Sequence, residues 1–68
     1  MPYVNVQITR GATREQKAGI ITDITTSLIE RLGKRPEHIH IVIQEIDEAD
    51  WGFAGLPTDV WTARQEGG

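Results

Sequence analysis

Cysteine is absent from the 68 residues, so a disulfide scaffold, a thiolate metal site and a cysteine nucleophile are all excluded. Positive charge is in the minority. Seven lysines and arginines face ten aspartates and glutamates, a formal net charge of −3. Such a surface does not attract a polyphosphate, and no nucleic-acid partner is expected. Hydrophobic runs are short. None approaches the roughly 20 apolar residues of a membrane span, and no charged-then-apolar signal segment is read, so the expectation is a soluble cytoplasmic protein without a membrane role. A glycine-rich phosphate loop, a serine-nucleophile motif, an internal repeat and a low-complexity tract are all missing. What remains is an ordinary globular composition, 38% hydrophobic with seven glycines, in a length that holds a single domain over residues 1–68.

That length poses a stability problem. Below roughly 70–80 residues one core rarely supplies more than about 3–5 kcal/mol. With no disulfide and no cysteine-based zinc site, self-association is the expected remedy.

The residue pattern is that of a small α/β unit. In Tyr3-Val-Asn-Val-Gln-Ile-Thr9, the apolar Val4, Val6 and Ile8 alternate with Asn5, Gln7 and Thr9, the mark of a half-buried strand. Thr13 followed by Gln16 fits a capping box, and Gly33 with Pro36 soon after fits a helix stop. Between them Ile21, Ile24, Leu28 and Leu32 form an apolar stripe, widened by Ala18, Ile20 and Ile29. One small sheet can cover the centre of that stripe, and the flanks call for another chain. A second strand is read from Ile39 to Ile46. Two strands separated by a long helix make a right-handed β-α-β unit with parallel strands. Val42 and Ile46 place apolar groups on the second face of the sheet, and both strands are edges, which again argues for assembly.

The remainder differs in character. Three acidic residues fall within Asp47-Glu-Ala-Asp50, read as a solvated acidic turn rather than a metal site. Trp51-Gly52-Phe53-Ala54-Gly55 and Leu56-Pro57 suggest a C-terminal hairpin. Val60 and Trp61 are expected to dock a short terminal segment, and residues 65–68 are expected to fray.

The chemistry centres on Met1-Pro2. A small second residue permits removal of the initiator methionine, leaving Pro2 with a free secondary amine. Within a chain proline has no N–H and no basicity. At a terminus it is a rigid amine. An ordinary α-amino group has a pKa near about 7.7–8.0, and an apolar, partly dry site lowers it by disfavouring the charged form. A neutral amine at neutral pH is a competent general base. Pro2 also shares strand parity with Val4, Val6 and Ile8.

Taken together, Pro2, the Gly11-Ala-Thr-Arg-Glu-Gln-Lys17 run, the β-α-β order and the Trp51-Gly-Phe-Ala-Gly55 hairpin resemble the 4-oxalocrotonate tautomerase family. The resemblance spans Pro2 to Gly55. It implies small β-α-β subunits assembled into hexamers, without a cofactor, whose terminal proline moves a proton between the oxygen and carbon of an enol. The implied partners are a small 2-oxo acid or its enol as substrate and further copies of the chain, as a homohexamer built as a trimer of dimers. A heterohexamer is the alternative assembly.

Transferred position by position, Pro2 falls on the catalytic proline and Trp51 on the aromatic wall of its pocket. Two family arginines that hold the substrate's carboxylate or polarise its carbonyl are replaced, by Ala12 and His40. Losing both weakens binding of a dicarboxylate and removes electrostatic help at the carbonyl oxygen. Candidate substitutes are His40 as a hydrogen-bond donor, Arg10 swung inward on its loop, and Arg64 or Arg35 reaching in from a neighbouring chain. Thr13, Glu15, Gln16 and Lys17 are read as capping and surface residues, and Phe53 and Trp61 as packing. Relatives that hydrate unsaturated acids place a glutamate in the hairpin. Here that stretch is Gly52-Phe53-Ala54, so hydration ranks below tautomerisation. The expected function is enol–keto isomerisation with Pro2 as base and Arg10, His40 and Trp51 as substrate-binding residues. The rival reading is a non-catalytic subunit of a mixed hexamer.

Overall fold

A computed structural model describes residues 1–67. Strand β1 (Tyr3–Thr9) leads into helix α1 (Arg14–Leu32), and a 3₁₀ turn at Pro36–His38 precedes strand β2 (His40–Ile46). A second 3₁₀ turn, Glu48–Asp50, connects to the short strands β3 (Gly52–Phe53) and β4 (Leu56–Pro57) and to helix α2 (Thr58–Gly67). β1 and β2 pair in parallel, in register from Tyr3 opposite His40 to Thr9 opposite Ile46. β3 and β4 form an antiparallel hairpin. This is the α/β architecture read from the sequence.

The helix limits follow from local chemistry. The Thr13 hydroxyl accepts from the Gln16 N–H at 3.1 Å, and the Gln16 side chain accepts from the Thr13 N–H at 2.9 Å, closing the capping box. At the far end Gly33 adopts φ 65°, and its N–H donates to the Ile29 carbonyl at 2.9 Å. A side chain there would meet its own backbone, which is why glycine ends the helix. β2 begins at His40 because Ile39 still belongs to the turn, its N–H donating to the Pro36 carbonyl.

The face that α1 turns to the sheet differs from expectation. The half-covered series is Lys17, Ile20, Ile24 and Leu28, whereas Ile21 and Leu32 stay exposed. Geometry explains the overhang at Leu32. Nineteen helical residues extend about 28 Å, while seven strand residues extend only about 23 Å. Ile21, Ile29 and Leu32 thus form a second apolar stripe that the described residues leave exposed.

The C-terminal segment, expected to loosen over residues 65–68, is helical for most of that length. α2 continues to Gly67, and Gly68 lies outside the described residues. The helix is tied down where it starts: the Thr58 N–H and hydroxyl both donate to the Trp51 carbonyl, at 2.8 and 2.5 Å. Three residues on, the Trp61 ring stacks at a tilt on Phe53, with centroids 4.9 Å apart.

The single chain has no core. Among the described residues none is buried. The radius of gyration is 15.9 Å, against about 11 Å for a compact domain of this length. The accessible surface is 5186 Å², against about 4,300 Å² for a compact monomer of this mass. The hairpin and α2 pack on each other and on the second 3₁₀ turn, standing off the β1–β2 sheet. A chain shaped in this way buries its apolar stripes only against other chains.

Candidate active site

Pro2 sits immediately before β1, half-buried, and its carbonyl accepts from the His40 N–H at 3.1 Å. The first residues of β1 and β2 therefore share one end of the sheet. Alternation along β1 sets Pro2 on the face of Val4, Val6 and Ile8, which α1 covers. His40 is paired with Tyr3, so its side chain takes the opposite face. Met1 is 85% exposed, and the strand does not depend on it.

Arg10 and Trp51 lie at the other end. Arg10 is eight residues along the chain from Pro2, about 26 Å of extended strand. Its guanidinium is ion-paired with Asp47, which raises the arginine's already high pKa. Trp51 follows the C-terminal end of β2, half-buried, with its carbonyl holding the start of α2. Beside it the hairpin forms an open concavity of about 430 Å³ lined by Asp50, Gly52, Phe53, Leu56 and Pro57. Pro2 is not part of it. One chain thus carries these candidate residues at opposite ends of its sheet. Any pocket that joins Pro2 to Arg10 or Trp51 is composed from more than one subunit.

The end distant from Pro2 also holds a network that the sequence reading missed. Lys17 is not a surface residue: its ammonium lies 2.6 Å from Glu45 Oε1, and the Gly11 N–H donates to Oε2 at 3.3 Å. Glu45 thereby links the β1–α1 loop, the first turn of α1 and β2. Lys17, then the loop N–H, then the nearby cations hold its carboxyl below the usual range. The signal was present in the sequence. Lys17 leads the three-four-four series through Ile20, Ile24 and Leu28, and Glu45 shares parity with Ile41 and Ile43. A charge at each position on an apolar face implies a pair.

This network predicts an acid-side instability. Because the folded-state pKa of Glu45 is depressed, its contribution is present above the unfolded carboxylate pKa and is lost as pH falls through the folded value. Glu45→Gln is expected to lower the unfolding midpoint at pH 7, with the gap to wild type closing as pH drops below the ordinary glutamate range. Thermal melts of both proteins from pH 7 to pH 3 measure it. A gap independent of pH would exclude the ion pair as its source.

Comparison with known proteins adds the following. The profile of a family described as "Tautomerase enzyme" matches residues 2–60. "Probable tautomerase K2" of Dickeya dadantii is 41% identical over 56 residues, covering 81% of this chain and 84% of that protein. The 2-hydroxymuconate tautomerase of Comamonas testosteroni is 29% identical over 56 residues, covering 82% and 89%. The crystal structure of DmpI from Helicobacter pylori superposes with a TM-score of 0.84 at 27% identity, covering 94% of this chain and 97% of that one.

Proposed function

The chain belongs to the tautomerase family, and from that premise we propose that it is a cofactor-free isomerase interconverting the enol and keto forms of small unsaturated 2-oxo acids, with Pro2 as its general base. The observation that carries this reading is the placement of Pro2. It is half-buried on the apolar, helix-covered face of the sheet, while the residue before it is exposed and makes no hold on the fold. Removal of Met1 frees the proline nitrogen without disturbing β1.

The step is a proton relay. The neutral amine takes the enol O–H proton. The oxygen's electron pair becomes the carbonyl π bond, the C=C pair moves to the distal carbon, and that carbon takes the proton back from the prolinium. An apolar surround keeps the amine uncharged between turnovers. Trp51 and Arg10 complete the pocket from a neighbouring subunit, the indole as a dry wall and the guanidinium as a carboxylate contact once it leaves Asp47. His40 of an adjacent copy serves as a hydrogen-bond donor. The assembly is a homohexamer. The relationship to the 2-hydroxymuconate tautomerase supports a dienol acid as substrate, and the loss of arginine at positions 12 and 40 favours a monoacid over a diacid.

The test is ketonisation of 2-hydroxymuconate and of phenylenolpyruvate, followed by absorbance for wild type and Pro2→Ala, with intact mass reporting loss of Met1. Turnover that is equal in the two proteins removes Pro2 from the mechanism.

A further inference from the structure

With Ala12 and His40 in place of arginines, the acid group of the substrate needs another cation, and the fold narrows the choice. Within one subunit Arg10 belongs to the far end of the sheet and is held by Asp47, so it reaches the acid group only across a subunit boundary and only once that pair opens. The end that carries Pro2 is where α1 finishes and β2 begins, since the His40 N–H is bonded to the Pro2 carbonyl. The intervening turn brings Arg31, Lys34 and Arg35 to that end of the same chain. Arg35 precedes the 3₁₀ turn, its carbonyl accepting from the His38 N–H at 2.9 Å. Three residues of 3₁₀ rise and two extended steps separate it from His40, at most about 13 Å between Cα atoms. His40 is in turn bonded to Pro2, so Arg35 stands at the same end of the sheet, at most one strand spacing further from Pro2 than from His40.

Arg35 is also already engaged with a carboxylate. Its Nη2 lies 2.8 Å from Glu37 Oε2, and both side chains are mostly exposed, at 70% and 57%. A pair so exposed is weakly held, so an incoming carboxylate displaces Glu37 at little cost. Resting on the function proposed above, we propose that Arg35 binds the carboxylate of the 2-oxo acid in the same subunit as Pro2, with Glu37 as the internal competitor for that guanidinium. Arg31 and Lys34 add positive potential at the same end and steer an anion towards it.

The experiment measures ketonisation of phenylenolpyruvate and of its methyl ester by wild type, Arg35→Gln, Arg35→Lys, Glu37→Gln and Pro2→Ala. Arg35→Gln is expected to raise KM for the acid about tenfold or more, with kcat and the kinetics of the ester within about twofold of wild type. Arg35→Lys recovers part of the loss. Glu37→Gln lowers KM for the acid severalfold, a change of opposite sign that a merely structural role would not produce. If acid turnover depends on Pro2 while neither Arg35→Gln nor Glu37→Gln moves KM for the acid, Arg35 is not the anchor and the Pro2 chemistry stands. If wild type and Pro2→Ala are equally inactive on acid and ester, the underlying function fails and this assignment fails with it.

Discussion

Pro2→Ala is expected to lower kcat/KM for enol ketonisation by about 10²–10⁴-fold, the usual worth of a positioned general base. The residual rate has a clear origin. Alanine at the second position still leaves an α-amino group after Met1 is removed, but a primary amine rotates freely and lacks the fixed geometry of the ring. A sharper version keeps the proline and blocks its nitrogen. The same chain carrying a short extension before Met1 ends β1 with an amide, which has no basic lone pair. Met1 is 85% exposed in the isolated chain, so the extension leaves β1 itself intact, and size-exclusion chromatography with circular dichroism checks that the assembly is retained. Activity of this extended protein is expected to be lost below even the Pro2→Ala level. Full activity with a blocked nitrogen, verified by intact mass, would contradict the mechanism. The rate of wild type should also fall on the acid side as the amine protonates, towards the level of the blocked-nitrogen protein.

How much of this was legible beforehand depended on whether a residue acts within its own chain. Local signals were sufficient for β1, α1 and the hairpin. Thr13 and Gln16 close a box, Gly33 needs a positive φ, and Ala54 and Gly55, at φ 55° and 78°, form the two-residue turn of the hairpin. The misreadings came from relations between elements. Assigning Ile21 and Leu32 to the sheet-facing stripe treated the helix as no longer than its sheet, when it overhangs at Leu32. Reading Lys17 as surface ignored that Glu45 lies on the strand face beneath it. Residues 65–68 were expected to fray as a chain terminus, whereas α2 runs on to Gly67 from an anchorage at the Trp51 carbonyl and the Phe53 ring. The sequence offered Pro2, Arg10, His40 and Trp51 as candidates but not where they stand relative to one another. Parity put Pro2 on the apolar face, yet only the parallel register shows that Arg10 and Trp51 stand a full strand length away.

On the function proposed above, that separation makes assembly a condition of both stability and catalysis. Leu32→Asp and Val42→Asp are therefore expected to have effects far larger than their exposed positions suggest. Leu32 is 61% exposed on the overhanging end of α1, and Val42 is 41% exposed on the open face of β2. On a self-sufficient monomer such substitutions are nearly neutral, within about 0.5 kcal/mol. Here each removes roughly 1.5–3 kcal/mol of interfacial burial and adds an unpaired carboxylate, and symmetry repeats the loss in every copy. Since none of the described residues is buried in the isolated chain, dissociation and unfolding are expected to be one event. Wild type should show a melting temperature that rises with protein concentration, and each variant should elute as a smaller species with diminished helical signal and no enol ketonisation. Size-exclusion chromatography, circular dichroism and the activity assay over a hundredfold dilution range measure all three. A variant that is monomeric yet fully folded would mean that the chain covers its own apolar stripes in solution. One that is monomeric and fully active would mean that the catalytic pocket is complete within a single subunit.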